Sequence, residues 1–438
     1  MNQAEDPTPS HNPMHSVLAN FWVLIRGRGA AAIMAFAATA LMARSLGPAE
    51  FGLVILIHTY VMLIRALLDY GSMDAIVKYG VPALDSGDNL ALGKLIKVCR
   101  RLDKQACITA TLLALLVAPF VGPIMGMDKQ GVIILMAYST ILLTASIGSA
   151  TGILRLYNKY DIIGRHLTIG PLIRFFGVIV AWWFSAPIEV FVGIWGLAYV
   201  TENFYLLWQA NHKYQRNIKH ALSMNDLKSA SLNDFDGLRH FLWVTYWQSN
   251  LDILPKHITT LLIGYLLGPV EAGLLRLANE LSSALAKPAA LIRQVVFADL
   301  TRSWNQANSA FNIIAYRTAI LGGGLGSAFV LISYFFGEYL LHVLLGNQYI
   351  AAKEILTLML LAATLDLTAS PLRSALYAMG KAFNALRLHI LSTAIYIVLF
   401  VVLTKNFGLI GAGLAASSSA GITLSGMYLL FANNKRGN

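Results

Sequence analysis

The chain has 438 residues, of which 57% are hydrophobic and 13% are charged, and its mean hydropathy is +0.61. This composition is far too apolar for a soluble protein of that length and predicts an integral membrane protein. The net charge of +11 does not indicate nucleic-acid binding, because the basic residues are spread between hydrophobic runs and do not gather on one soluble face.

Twelve apolar runs are long enough to cross a bilayer, which takes about 20 helical residues. They predict an all-α fold with spans at 17–44, 51–79, 106–126, 131–154, 162–185, 188–210, 241–266, 270–298, 311–336, 355–379, 385–404 and 408–431. The tail at 1–16 lacks the basic segment of a cleaved signal peptide, so we expect the first run to remain as a membrane helix.

The orientation follows from the 33 Lys and Arg residues. Connections that leave even-numbered spans, with their flanks and the C-terminal tail, contain 20 of them, and connections on the other side contain four. Because basic loops stay in the cytoplasm, this imbalance predicts that both termini are cytoplasmic.

The first span contains two arginines, Arg26 and Arg28. If the helix began after them, at Gly29, the apolar run would cover only about 22 Å, which is too short for the bilayer core. We therefore expect both arginines to lie inside the span and to face a cavity or the bundle interior. The alternative is that their side chains reach back to the cytoplasmic interface.

Two further spans carry polar stripes. In the eighth span, Arg276, Glu280 and Lys287 follow a helical spacing, and in the second span Arg65 and Asp69 do the same. Spans contain nine basic residues and six acidic ones, so the charge surplus is cationic and predicts an anionic ligand. Arginine suits phosphate because its planar guanidinium makes two parallel hydrogen bonds. The alternative is that Arg65 with Asp69, and Arg276 with Glu280, are local ion pairs that only fix helix packing.

These stripes give the candidate site. The predicted substrate-binding residues are Arg26, Arg28, Arg65, Arg276 and Lys287, facing one cavity shared by two halves of the chain. Acids at membrane depth can bind a proton or a sodium ion, so Asp69, Asp252 and Glu280 are candidates for ion coupling. No zinc spacing, nucleotide loop or catalytic motif is present in the sequence, so we expect no cofactor, no metal and no enzymatic activity.

One loop-side segment, residues 89–104, alternates apolar and basic residues at a helical spacing. It predicts an amphipathic helix that lies on the anionic cytoplasmic membrane surface. A solvated connector is the alternative.

The chain also contains an internal duplication. LGPAEFGL at 46–53 returns as LGPVEAGL at 267–274, and Gly126 matches Gly346, at offsets of 221 and 220. The predicted organisation is a tail at 1–16, a six-helix half at 17–212, a cytoplasmic linker at 213–238, a second half at 239–432 and a tail at 433–438, with the halves as parallel repeats. Within each motif, Gly as a cap, Pro at the first helical position and Glu in the first turn are explained by helix initiation alone.

The chain resembles the polysaccharide flippases of the multidrug/oligosaccharidyl-lipid/polysaccharide (MOP) exporter superfamily. The resemblance rests on a polar first span, on LGPxEFGL at the start of the second span and on GLIGAGLA at the start of the last. The resemblance implies a multi-pass flippase of the bacterial inner membrane, which moves an undecaprenyl-diphosphate-linked oligosaccharide in O-antigen, lipopolysaccharide or exopolysaccharide assembly. It also implies membrane lipids, a polysaccharide polymerase and chain-length proteins as partners. Flippases of the peptidoglycan precursor usually have fourteen spans, so twelve argue against that substrate.

Two alternatives stay open at this point. A multidrug or cation antiporter of the same superfamily would be expected to have a more acidic or aromatic pocket. A membrane-embedded glycan polymerase or glycosyltransferase would be expected to have a large extracytoplasmic loop.

Overall fold

The computed structural model describes residues 13–217, 230–305 and 310–433. The described chain is almost entirely helical and contains no strand. The helices are α1 Pro13–Leu67, α2 Ser72–Asp85, α3 Asn89–Ile124, α4 Lys129–Ser139, α5 Ile147–Leu156, α6 Tyr160–Trp183, α7 Ile188–Asn217, α8 Leu238–Leu266, α9 Pro269–Asn305, α10 Ala310–Leu345, α11 Ala352–Ala378 and α12 Ala382–Ala432.

These helices account for the twelve predicted spans. Helix α1 changes direction at Gly47 and α12 at Gly408, where the backbone leaves helical geometry, so each of the two contains two spans. Helices α4 and α5, with the short 3-10 helix Thr140–Thr144 between them, form one further span. Large apolar side chains are exposed along most helices, as expected for surfaces that face lipid.

The predicted duplication is visible in the backbone. Gly47 and Gly268 both have positive φ angles, of 75° and 112°, and so do Gly126 and Gly346, with 77° and 100°. A positive φ is a conformation that glycine adopts without steric cost, so the repeated glycines mark the same turn in each half. The helix-initiation explanation of the motif is consistent with Glu271, which lies in the first turn of α9.

The two halves of the chain differ in helix continuity, because two membrane spans of the N-terminal half are broken. The second span breaks before α2, at Gly71, and the fourth span breaks before α5, at Ser146, whereas α9 and α11 are continuous. The carboxylate of Asp103, on α3, lies at both breaks: it accepts hydrogen bonds from the Ser72 hydroxyl and, at 2.6 Å, from the Ser149 backbone N–H. Asp103 therefore satisfies donors that the two helix starts leave unpaired.

The chain divides into two compact units. One contains Met1–Met42, Ile64–Ala118 and Met136–Ile253, and the other contains Ala43–Leu63, Pro119–Leu135 and Leu254–Asn438. In the first unit, a buried apolar cluster joins α2, α3, α5, α7 and α8. In the second, a cluster centred on Leu372, Met427 and Phe431 joins α9 to α12.

The amphipathic segment at 89–104 is helical, as predicted, but it is the beginning of α3 and not a separate helix. Its apolar residues Leu92, Leu95 and Cys99 are buried in the first unit's core. The prediction that this apolar face lies on the membrane was therefore wrong, because α2 and α5 cover it.

Candidate functional site

The second unit contains a cavity of about 540 Å³, a volume typical of ligand-binding pockets. Helices α8, α9, α11 and α12 form its walls, and its lining is mainly polar on the sides of α8 and α9. The lining residues used below are Lys256, Thr259, Thr260, Arg276, Asn279, Ser282, Ser283, Asp366, Ser370 and Tyr396. We refer to this space as the α8–α12 cavity.

Arg276, one of the predicted binding residues, lines this cavity. Its side chain is 46% exposed, although it lies in the third turn of a helix whose neighbouring positions, Leu275 and Leu277, are buried. Glu280, one turn further along α9, lies 3.6 Å from Arg276 Nε and is 18% exposed. The predicted local ion pair is thus present, and the guanidinium has two further nitrogens that can donate hydrogen bonds into the cavity.

Lys256 and Asp366 bring further charge to the α8–α12 cavity. Both are exposed to it, Lys256 from α8 and Asp366 from α11, so two cations and one carboxylate line the space. The sequence placed both residues within predicted membrane spans, but neither was among the predicted substrate-binding or ion-coupling residues. Lys256 could have been selected because it stands four positions after Asp252, on the same helix face.

Hydroxyl groups form much of the remaining wall. Thr259 and Thr260 donate to the carbonyl of Lys256 at 3.2 and 3.1 Å, and Ser283 donates to that of Glu280 at 2.8 Å. Each oxygen keeps lone pairs that can accept hydrogen bonds from a ligand. Ser370 Oγ is buried against the cavity and has no hydrogen-bond partner within the described part of the chain. A buried hydroxyl without a partner is costly, so a water molecule or a ligand is expected there.

Arg65 lies in a different environment, in the first unit. Its guanidinium carbon lies 5.9 Å from the centre of the Tyr199 ring, within the range of cation–π attraction. Arg65, Asp69 and Asp103 line a space of about 30 Å³, which holds roughly one water molecule. Asp69 Oδ1 also accepts a hydrogen bond from Gly71 N–H at 3.1 Å. Within this unit, Arg65 and Asp69 therefore line the same narrow polar space.

The structure brings together Arg276 with Glu280 and, separately, Arg65 with Asp69. Arg26, Arg28, Asp252 and Lys287 lie outside the residues whose side chains are described. The single cavity shared by both halves therefore stays a prediction, as do the roles assigned to these residues.

The comparisons with known proteins agree with this architecture. A family described as polysaccharide biosynthesis protein matches residues 17–304. The inner membrane protein YghQ of Escherichia coli (strain K12) is 24% identical over 326 residues, which cover 74% of this chain and 91% of that protein.

Two solved structures resemble the chain over most of its length. One is the lipid II flippase MurJ in an inward closed conformation, with a TM-score of 0.73, 12% identity and coverage of 93% of this chain and 87% of that one. The other is an inward-facing multidrug resistance MATE family transporter of the MOP superfamily, with a TM-score of 0.66, 14% identity and coverage of 92% and 95%. The chain thus has the fold of MOP superfamily transporters, and it belongs to the polysaccharide biosynthesis protein family.

Proposed function

We propose that the protein is an inner-membrane flippase that moves an undecaprenyl-diphosphate-linked oligosaccharide from the cytoplasmic to the outer leaflet by alternating access. The observation that carries the proposal is the α8–α12 cavity, in which Arg276 and Lys256 present positive charge at the wall of a polar space inside an apolar helix bundle. Family membership supports a role in polysaccharide assembly.

The diphosphate is the part of the substrate that this charge would select. A cation within a membrane bundle costs about 2.5 to 3.5 kcal/mol on insertion scales, so its retention at a cavity wall favours a compensating anion. Asp366 adds one carboxylate to the two cations of the cavity lining, and Glu280 pairs with Arg276 along α9. A diphosphate would compete with these carboxylates for the cations, which would let the cavity bind a dianion and still release it.

The hydroxyl groups and the aromatic ring that line the α8–α12 cavity could contact the glycan part of the substrate. Thr259, Ser283 and Ser370 can accept hydrogen bonds from sugar hydroxyls, and Asn279 can both donate and accept them. Tyr396 adds an aromatic face with a polar tip. The undecaprenyl tail needs no site in the cavity, since it remains soluble in the bilayer.

Alternating access requires contacts between the two halves that open on one side of the membrane. Such contacts are present at the LGPxExGL motifs, where Gly52 packs against Pro269 and Gly273. Tyr349 adds a hydrogen bond to the carbonyl oxygen of Ala43 at 2.8 Å. The distribution of basic residues predicts that this face lies outside the cell, so we propose that these contacts separate when the substrate is released there.

Binding to the purified protein tests the proposal. The probes are a short-chain polyprenyl diphosphate disaccharide, the same lipid with a monophosphate, and a lipophilic cation. We expect the diphosphate to bind most tightly, and Arg276→Gln or Lys256→Gln to weaken it about 10- to 100-fold, the effect of losing one charge-assisted hydrogen bond.

The matched control is Arg302→Gln, which removes an exposed arginine from the same helix as Arg276 but outside the cavity. It should leave the affinity unchanged, and Arg276→Lys should restore part of it. Tighter binding of the lipophilic cation than of the diphosphate would contradict the proposal and favour a multidrug exporter. Equal losses in the control and in the cavity variants would also contradict it.

A further inference from the structure

A second space lies in the first unit, between α3, α5 and α7, and both basic and apolar residues line it. It has a volume of about 360 Å³ and is separate from the residues assigned to substrate binding. Its lining consists of Arg100, Lys104, Ser146, Ser149, Ala150, Phe204, Leu207, Trp208 and Asn211. We refer to it as the α3–α7 groove.

Two cations one helical turn apart dominate one wall of the groove. Arg100 Nη1 donates to Asn211 Oδ1 at 3.4 Å, and its guanidinium carbon lies 4.4 Å from the centre of the Tyr214 ring, so α7 holds the side chain in place. Lys104 is exposed. Asp103, the acid on this stretch of α3, accepts hydrogen bonds from Ser72 and Ser149 and attracts Arg100 electrostatically. No carboxylate is among the residues that line the groove in the described part of the chain.

The opposite wall is apolar and open. Phe204 is 68% exposed and Trp208 is 58% exposed, and both lie on α7 beside Leu207. Exposed aromatic side chains on a membrane-spanning helix contact lipid, and tryptophan is enriched at the level of the headgroups. The groove therefore combines a fixed cationic wall with a wall that suits an acyl chain.

We propose that the α3–α7 groove binds an anionic glycerophospholipid of the phosphatidylglycerol or cardiolipin type. Arg100 and Lys104 would contact the phosphate, Asn211 and Ser146 the polar headgroup, and Phe204 and Trp208 the upper part of an acyl chain. A phosphate ion in solution would use the cations but would gain nothing from the aromatic wall. A zwitterionic lipid would bring its own cation to a wall that already has two.

The other basic residues on this part of α3, Lys94, Lys97 and Arg101, are typical of a segment at the anionic cytoplasmic surface. The groove would thus bind a lipid of the cytoplasmic leaflet, and this lipid would contact three helices of the first unit. This role is independent of the proposed flippase activity, because it concerns a resident lipid and not the transported one.

Native mass spectrometry of the full-length protein tests the proposal. The protein is extracted from vesicles of equal parts phosphatidylglycerol and phosphatidylethanolamine, and the bound lipids are counted as detergent activation increases. We expect the wild-type protein to retain phosphatidylglycerol, and the double variant Arg100→Gln/Lys104→Gln to lose that retention at least about 10-fold, as expected for two lost charge-assisted contacts.

The control variant, Lys94→Gln/Arg101→Gln, removes the same charge from the same helix outside the groove and should retain the lipid. The single variant Lys104→Glu changes only an exposed side chain, so it tests the groove even if the Arg100 variant folds poorly, and it should also lose the lipid. Equal retention by all variants, or equal retention of the two lipids by the wild type, would overturn the proposal. So would displacement of the lipid by millimolar inorganic phosphate, or by a polyprenyl diphosphate at equal concentration.

Discussion

Gly52 and Gly273, the last glycines of the two LGPxExGL motifs, pack directly against each other. A Cβ atom on Gly273 would lie 3.2 Å from Gly52 Cα and 3.0 Å from the Phe51 ring, and a Cβ atom on Gly52 would overlap the carbonyl group of Pro269. The duplicated motif therefore does more than start two helices, because it lets the two halves of the chain approach to backbone contact.

Gly52→Ala should destabilise the protein because its methyl group would meet backbone and not a flexible side chain. The expected cost is at least about 1 to 3 kcal/mol, the usual range for overpacking, and it appears as a lower thermal transition in detergent. Gly273→Ala should cost less, since its methyl group would lie 3.0 Å or more from its neighbours, whereas that of Gly52→Ala would overlap the Pro269 carbonyl. Gly193→Ala is the control: nothing lies within 4 Å of its Cβ position, so stability should be unchanged or rise by about 0.5 to 1 kcal/mol.

Tyr349→Phe removes a hydroxyl that donates to the carbonyl of Ala43, four residues before the break at Gly47. The variant would remove one buried hydrogen bond that joins the residues before this break to Tyr349. We expect a loss of about 1 to 3 kcal/mol in stability by thermal denaturation. Tyr339→Phe removes the same hydroxyl from a residue that is 71% exposed and should have no measurable effect. A similar loss in both variants would contradict this explanation.

Asp103→Ala should destabilise the first unit, since it leaves the Ser149 N–H and the Ser72 hydroxyl without their acceptor. The expected loss is about 1 to 3 kcal/mol, seen as a lower thermal transition and as faster amide hydrogen exchange at the start of α5. The control Asp85→Asn changes an exposed acid at the end of α2. Unchanged exchange in α5 in the Asp103 variant would show that Asp103 does not hold this break.

The fold could be predicted to a large extent because its main signals are local. Apolar runs gave the twelve spans, and the repeated glycines Gly47 and Gly268 mark the same turn in both halves. The breaks at Gly71 and Ser146 could not be predicted, since the side chain that bonds to both, Asp103, is distant from them in sequence. The burial of the apolar face of α3 could not be predicted either, because hydrophobic periodicity is the same whether that face contacts protein or a membrane surface.

The candidate site was predicted only in part. Arg276 lines the α8–α12 cavity, and helical spacing correctly paired it with Glu280. Arg65 lies in the other unit, against Tyr199 in a space for about one water molecule, and the binding roles predicted for both arginines stay predictions. Lys256, Asp366 and Ser370 meet at the α8–α12 cavity from two different helices, and no pattern along the sequence brings these helices together.

Translocation in proteoliposomes tests the central claim most directly. The purified protein is reconstituted, a fluorescent short-chain polyprenyl diphosphate oligosaccharide is placed in one leaflet, and its appearance in the other is followed by a glycan-modifying enzyme that cannot cross the bilayer. We expect translocation by the wild type and by Arg302→Gln, a rate reduced about 10-fold or more in Arg276→Gln, and partial recovery in Arg276→Lys. Wild-type translocation that Arg276→Gln leaves unchanged would contradict the assignment of the α8–α12 cavity, and no translocation above protein-free vesicles would contradict the flippase function itself.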